Sequence, residues 1–277
     1  DILDHSLHSL SYGMRQKVAI ASAEAIDPEI YVMDEPSANL DIASTYRFAD
    51  IIRALKQQGK TIIIAEHRLY YLMDLADRFL CVQKGKIVRE FTAQQMKALS
   101  NEEIRALGLR TPDLHQIEQA EIPSAATSEV VLEVKKLNHS FGETIVAKDV
   151  DFQCRKGEVV ALIGPNGTGK STIGRILAGL LKEKSGEVVL FGKHCRSKGR
   201  LGKVWYIPQD LDSQLFGEDL LDELTTGAEV SPERKQAAEE ILEALELMPF
   251  VKQHPSTLSG GQKQRLALGV ALMHEAP

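Results

Sequence analysis

One short element occurs twice in this chain of 277 residues. Leu10-Ser11-Tyr12-Gly13-Met14-Arg15-Gln16-Lys17 returns as Leu258-Ser259-Gly260-Gly261-Gln262-Lys263-Gln264-Arg265. Each copy runs into a stretch of small and aliphatic residues, 18–27 and 266–275. A local element repeated so far apart implies duplicated domains rather than one continuous core. The first copy is followed by a downstream half-domain, and the second is preceded by an upstream half and then stops. The expected organisation is therefore a downstream half over 1–90, a linker or small insert over 91–129, and an upstream half over 130–277.

Patterning within the halves is that of an α/β protein. Ser11 is a capping residue for a helix over 11–27, and Pro28 ends it before an apolar strand at 30–33. A helix over 42–57 stops at Gly59, a β-rich run covers 61–65, and a further helix is expected near 69–76. Phe79–Val82 and Lys86–Arg89 around Gly85 read as a hairpin. Asn101, Gly108, Pro112 and Pro123 punctuate the linker. Beyond it, 130–134, 158–163, 188–191 and 204–207 read as strands, and 218–227 and 231–246 as helices.

The chemistry is concentrated in two places. Gly164-Pro165-Asn166-Gly167-Thr168-Gly169-Lys170-Ser171 follows an apolar run and opens a helix. Small residues let successive amides curve round phosphate oxygens, and the helix amino end adds favourable polarity. Lys170 is expected to reach the β- and γ-phosphates of a nucleoside triphosphate, Ser171 to ligate magnesium and Thr172 to help hold phosphate. The acidic strand end that belongs with such a loop is absent downstream and lies far upstream, at Ile30-Tyr31-Val32-Met33-Asp34-Glu35. Asp34 suits a water-bound magnesium ion, and Glu35 suits polarising an attacking water.

Composition removes other classes. A net charge of −6 gives no global electrostatic reason for nucleic-acid binding, and no nucleic-acid partner is expected. No apolar run approaches the ~18 residues of a membrane span. Cys81, Cys154 and Cys195 lack metal-ligand spacing and point to a reducing compartment rather than a disulfide or zinc framework.

Leu258-Ser259-Gly260-Gly261-Gln262 resembles the signature loop of ABC-transporter ATPases. Asp34-Glu35-Pro36 is similar to their Walker B end and catalytic glutamate, Ser37–Asp41 to their D-loop, and His67 to their switch histidine. Gln209, after Tyr206-Ile207-Pro208, resembles the Q-loop glutamine that contacts magnesium, and Phe141 stands where the family stacks an aromatic ring on adenine. Gln214-Leu215-Phe216 and Leu221-Asp222-Glu223-Leu224 resemble the coupling-groove region of energy-coupling-factor, or cobalt/vitamin-type, ATPases with two fused domains. The first signature departs from the family at Tyr12, in place of a glycine, and at Met14, in place of a glutamine.

The resemblance implies portions of two P-loop ABC nucleotide-binding domains that use ATP and Mg2+. It implies an ABC domain–domain dimer, peripheral on the cytoplasmic face of the membrane, working with a membrane-spanning coupling protein and a substrate-capture component to import a vitamin or metal ion. An ABC-type regulatory or translation ATPase, or a noncatalytic nucleotide-binding fragment, are the alternatives. By the family's composite geometry, Ser11 and Gly13 face ATP held by Lys170 and Ser171. Ser259 and Gly261, with catalytic Glu35 and His67, serve a phosphate loop expected before Asp1, and a second Walker B end and switch histidine are expected after Pro277. Three arrangements stay open: a permuted ABC domain within one chain, assembly across chains, and a nonnative fragment.

Overall fold

The computed structural model describes residues 12–38, 40–110, 127–227 and 231–274. The chain divides into two units, Asp1–Ile122 and Pro123–Pro277. Ser11, Asn39, Pro112 and Pro123 lie outside the described residues.

In the first unit, α1 (Tyr12–Ile26) leads into β1 (Ile30–Asp34), α2 (Ile42–Gln57) and β2 (Thr61–Ala65). The two strands pair in parallel, Ile30 opposite Thr61 through Asp34 opposite Ala65. Parallel neighbours need a crossover, and α2 supplies it. Its start is set by Asp41, whose carboxylate accepts from the Ser44 amide at 2.8 Å. Phe48, Ala49 and Ile52 then face the core with Tyr71, Leu72 and Leu75, against which Ile20, Met33, Ile62 and Ile64 also pack.

The expected helix near 69–76 is instead a series of turns. Leu69 and Met73 pack into one cluster, with Cys81, Phe91 and Met96, while Tyr71, Leu72 and Leu75 pack into the other. An apolar segment serving two cores imitates a helical stripe without needing the helix. The antiparallel hairpin of β3 (Arg78–Gln83) and β4 (Lys86–Thr92) forms as expected. The region 91–129 begins with two capped helices, α3 (Ala93–Ala98) and α4 (Asn101–Ala106), whose Met96 and Ile104 are buried.

In the second unit, β5 (Val130–Phe141) and β6 (Thr144–Arg155) form a long hairpin. With β7 (Ser185–Leu190) and β8 (Lys193–His194) they build an antiparallel sheet ordered β6-β5-β7-β8. Helix α5 (Lys170–Leu177) lays the fully buried Ile176 on Val134, Leu137 and Val188. The short α6 (Ser197–Arg200) brings in Arg200, which is fully buried. Its guanidinium donates to the carbonyls of Ile176 (3.1 Å) and Cys195 (2.6 Å) and to the Glu183 carboxylate (2.6 Å). Those bonds hold the carboxyl end of α5 in place. A separate helical layer of α7 (Leu220–Thr225), α8 (Pro232–Ala244) and α9 (Gly260–Met273) closes around Leu220, Leu224, Leu242, Leu247 and Leu266.

Two expected strands of this unit, 158–163 and 204–207, are in no sheet. Val159 and Ile163 are 97% and 89% exposed. An apolar run supplies the propensity for a strand, but a strand exists only where a neighbour accepts its amides.

Candidate functional site

In the second unit, the phosphate loop is held against the β5–β6 hairpin. Gly169 is the amino-terminal cap of α5, with a left-handed φ of 92°. A Cβ there would lie 2.6 Å from the Val146 carbonyl oxygen and 2.7 Å from Val146 Cγ1. Only a hydrogen fits, and the result is a backbone cradle that any larger residue would fill. Val146 lies between Ile145 and Ala147, which pair with Ser140 and His139. The loop therefore sits beside the strand end that carries Phe141. That ring is half exposed and meets His139 edge-on, with centroids 4.9 Å apart at 79°.

Lys170 Nζ donates to the carbonyls of Gly164 (2.8 Å) and Pro165 (2.6 Å), and Thr168 Oγ1 donates to Pro165 at 2.9 Å. Asn166 and Gly167 form the turn between them. An ammonium group and a helix amino end at one place favour a polyanion. Ser171, exposed, and Thr172, partly buried, follow in the first turn of α5. The donor set suits a nucleoside triphosphate with a hard cation: loop amides and Lys170 for phosphate, and a hydroxyl oxygen for magnesium. The 204–209 segment is brought alongside by Tyr206, whose Cε2 lies 3.1 Å from where a Cβ on Gly174 would stand. Gln209 follows on that segment and is exposed.

The second signature element also has an identifiable local structure. Ser259 caps α9 in a capping box, accepting from the Gln262 amide at 3.4 Å while its own amide donates to Gln262 Oε1 at 2.8 Å. Gly260 and Gly261 at the head of the helix are exposed. In the first copy, the backbone of Gly13 lies within α1.

In the first unit, Asp34, Glu35 and His67 come together at the carboxyl end of the parallel pair. Asp34 ends β1 opposite Ala65, and the Glu35 amide donates to the Ala65 carbonyl at 2.9 Å. Glu35 then adopts φ 43°, a left-handed conformation unusual for a side chain of its size. Its Oε1 lies 3.5 Å from His67 Nδ1. Beside them an open groove of about 470 Å³ runs between α1 and β1, with Ala19, Ile20, Tyr31, Asp34 and Glu35 among its walls.

Sequence reasoning missed Glu66 and Arg68. The Glu66 carboxylate is buried and accepts hydrogen bonds from Ser37, His67, Arg68 and Tyr71. Burial opposes its charge, but the Ser37 hydroxyl, the Arg68 and His67 amides and the Tyr71 hydroxyl outweigh it and hold the carboxyl below its ordinary range. Tyr71 is pushed the other way, by burial and then by the Glu66 charge. The available signal was an acid directly before His67, whose partners in the Ser37 turn are remote in sequence.

A family model described as ABC transporter matches residues 1–38 and 147–277. The chain belongs to the ABC transporter family. It is 38% identical over 276 residues to a candidate ABC transporter ATP-binding protein of Treponema denticola, covering 98% of this chain and 56% of that protein. It is 29% identical over 296 residues to a candidate HMP/thiamine import ATP-binding protein, YkoD, of Bacillus subtilis, covering 97% and 54%. The chain thus spans about half the length of these curated relatives. Among solved structures, one described as a model of ribosome-bound archaeal Pelota and ABCE1 is similar over 99% of this chain and 46% of that one, with a TM-score of 0.70 and 27% identity. No helix among the described residues of this ABC chain is long and apolar enough to cross a membrane.

Proposed function

We propose that the protein containing this chain is a magnesium-dependent ATPase that powers import through membrane partners. The observation that carries the reading is the Gly164–Ser171 loop, its backbone pressed on β6 at Gly169 and Lys170 heading α5. The loop amides and Lys170 hold the β- and γ-phosphates, Thr172 supports them, Ser171 and Gln209 hold the metal, and Phe141 stacks on adenine. Magnesium, when bound, would supply positive charge that neutralises the phosphates. Glu35 orients the attacking water and accepts its proton, and His67 fixes the hydrolytic arrangement. Asp34 holds magnesium in the site that Glu35 and His67 serve. Ser259 and Gly261 present a helix amino end to nucleotide across an ABC domain dimer, and Ser11 and Gly13 serve the other composite site.

The cargo is a vitamin or metal ion, taken from a membrane-embedded capture component by way of a coupling protein at the cytoplasmic face. Support for import comes from the ABC family match and from the Bacillus subtilis relative's description. A second reading, a ribosome-associated ABC ATPase, is favoured by the archaeal structural neighbour. The net charge of −6 speaks against an RNA surface.

The test uses the full-length protein. Mg-ATP hydrolysis is compared in wild type, Lys170→Ala and Glu35→Gln, followed by co-purification from membranes and sedimentation with ribosomes. The import reading expects turnover suppressed by both substitutions and recovery with integral membrane proteins. Turnover insensitive to both substitutions, or co-sedimentation with ribosomes alone, overturns it.

A further inference from the structure

We propose that Glu66 is a positioning residue for hydrolysis: a buried carboxylate that locks the Ser37 turn to the His67 turn and so fixes His67 beside Glu35. The inference rests on the reading of Glu35 and His67 given above.

The two carboxylates that bracket His67 have opposite environments. Glu35 Oε1 and Glu66 Oε1 each lie 3.5 Å from His67 Nδ1, but the Glu35 side chain is 57% exposed and that of Glu66 only 1%. The exposed acid can meet a reactant, whereas the buried one can act only through the protein. Five donors among the described residues of this unit meet the Glu66 carboxylate. Oε2 accepts from the Ser37 hydroxyl at 2.6 Å, the Ser37 amide at 3.3 Å and the Tyr71 hydroxyl at 2.9 Å. Oε1 accepts from the amides of His67 at 2.9 Å and Arg68 at 3.1 Å. Ser37 is itself fully buried.

Arg68 completes the tie from the same turn. Its guanidinium donates to the carbonyls of Ser37 (3.0 Å), Ala38 (3.0 Å) and Leu40 (3.4 Å). Amide and carbonyl groups of the turn after Glu35 are thus both held from residues 66 and 68. Charge-assisted bonds to backbone fix atoms more tightly than packing alone, because a buried carboxylate left short of donors is costly. Glu35, with its left-handed φ, stands directly before this turn, and its Oε1 faces His67 Nδ1. Movement of the Ser37 turn therefore reaches the His67 turn through two side chains, of which Glu66 is the one that also accepts the His67 amide.

Glu66→Gln keeps the shape but turns one acceptor into a donor facing the Ser37 amide. In the full-length protein, Glu66→Gln is expected to lower kcat for Mg-ATP on the order of 10- to 100-fold, with KM changed less than about two-fold. In a His67→Ala background the same substitution should lower the rate less than about two-fold, because the residue it positions is gone. Equal fold losses in both backgrounds overturn the proposal.

Amide exchange supplies a readout independent of turnover. Exchange at Ser37, His67 and Arg68 should quicken in Glu66→Gln while α2 stays protected. Unchanged exchange, or a quickening that extends through α2, overturns the clamp even in an active enzyme. A wild type without turnover instead sinks the hydrolysis reading and leaves the exchange result to decide the clamp.

Discussion

Gly167 and Gly169 differ in one respect that can be measured. Both have left-handed φ, 83° and 92°, but a Cβ at Gly167 meets nothing within 4 Å, whereas one at Gly169 strikes Val146. A non-glycine residue in that conformation costs about 1–2 kcal/mol. Reduced freedom of the unfolded chain returns about 0.4–1 kcal/mol. Gly167→Ala should therefore cost between about 0 and about 1.6 kcal/mol. Gly169→Ala adds an overpacking cost of about 1–3 kcal/mol, because the atom struck is a backbone carbonyl that cannot rotate away. With urea slopes of about 1–3 kcal/mol/M, the extra cost lowers the midpoint by on the order of 1 M. The chain has a single tryptophan, Trp205, stacked on His274 at 4.6 Å in the second unit, so its fluorescence reports that unit. Coincident urea midpoints for the two variants would refute the close approach of loop and β6.

Arg200→Met should destabilise the second unit by about 3–5 kcal/mol, since it leaves the half-buried Glu183 carboxylate and two carbonyls without their donor; the same urea titration measures it. Asp41→Ala removes the cap of α2 and should cost about 0.5–2 kcal/mol, read from circular-dichroism melts. Glu66 titrates below its ordinary value of 4.5 in the fold, so its charged form contributes stability that is fully present above that value. The contribution is lost as pH falls through the depressed folded value. Melting temperatures of wild type and Glu66→Gln should accordingly converge as pH drops below about 4.5, and a constant gap would contradict the assignment.

Local structure at the candidate site was legible where it is encoded by neighbours in sequence. The glycine loop, the Asp34–Glu35 strand end and the Ser259 cap depend on spacings of a few residues, and their local structures follow from those spacings. Glu66 and Arg68 were not legible, because what they hold lies in the Ser37 turn, on the other side of α2 and β2 in the chain. The 158–163 and 204–207 runs show the converse. Their β-rich composition is unmistakable, yet composition cannot supply a neighbouring strand. The helices α3 and α4 follow from Thr92 with Gln95 and from Ser100 with Glu103, two capping boxes inside the stretch read as a linker or small insert.

The most direct test of the nucleotide site is equilibrium binding of Mg-ATP to this chain by calorimetry, with Lys170→Ala alongside. The account predicts saturable binding by wild type, weakened at least about 10-fold by the substitution, equivalent to about 1.4 kcal/mol or more. Equal affinity in the two proteins would contradict it.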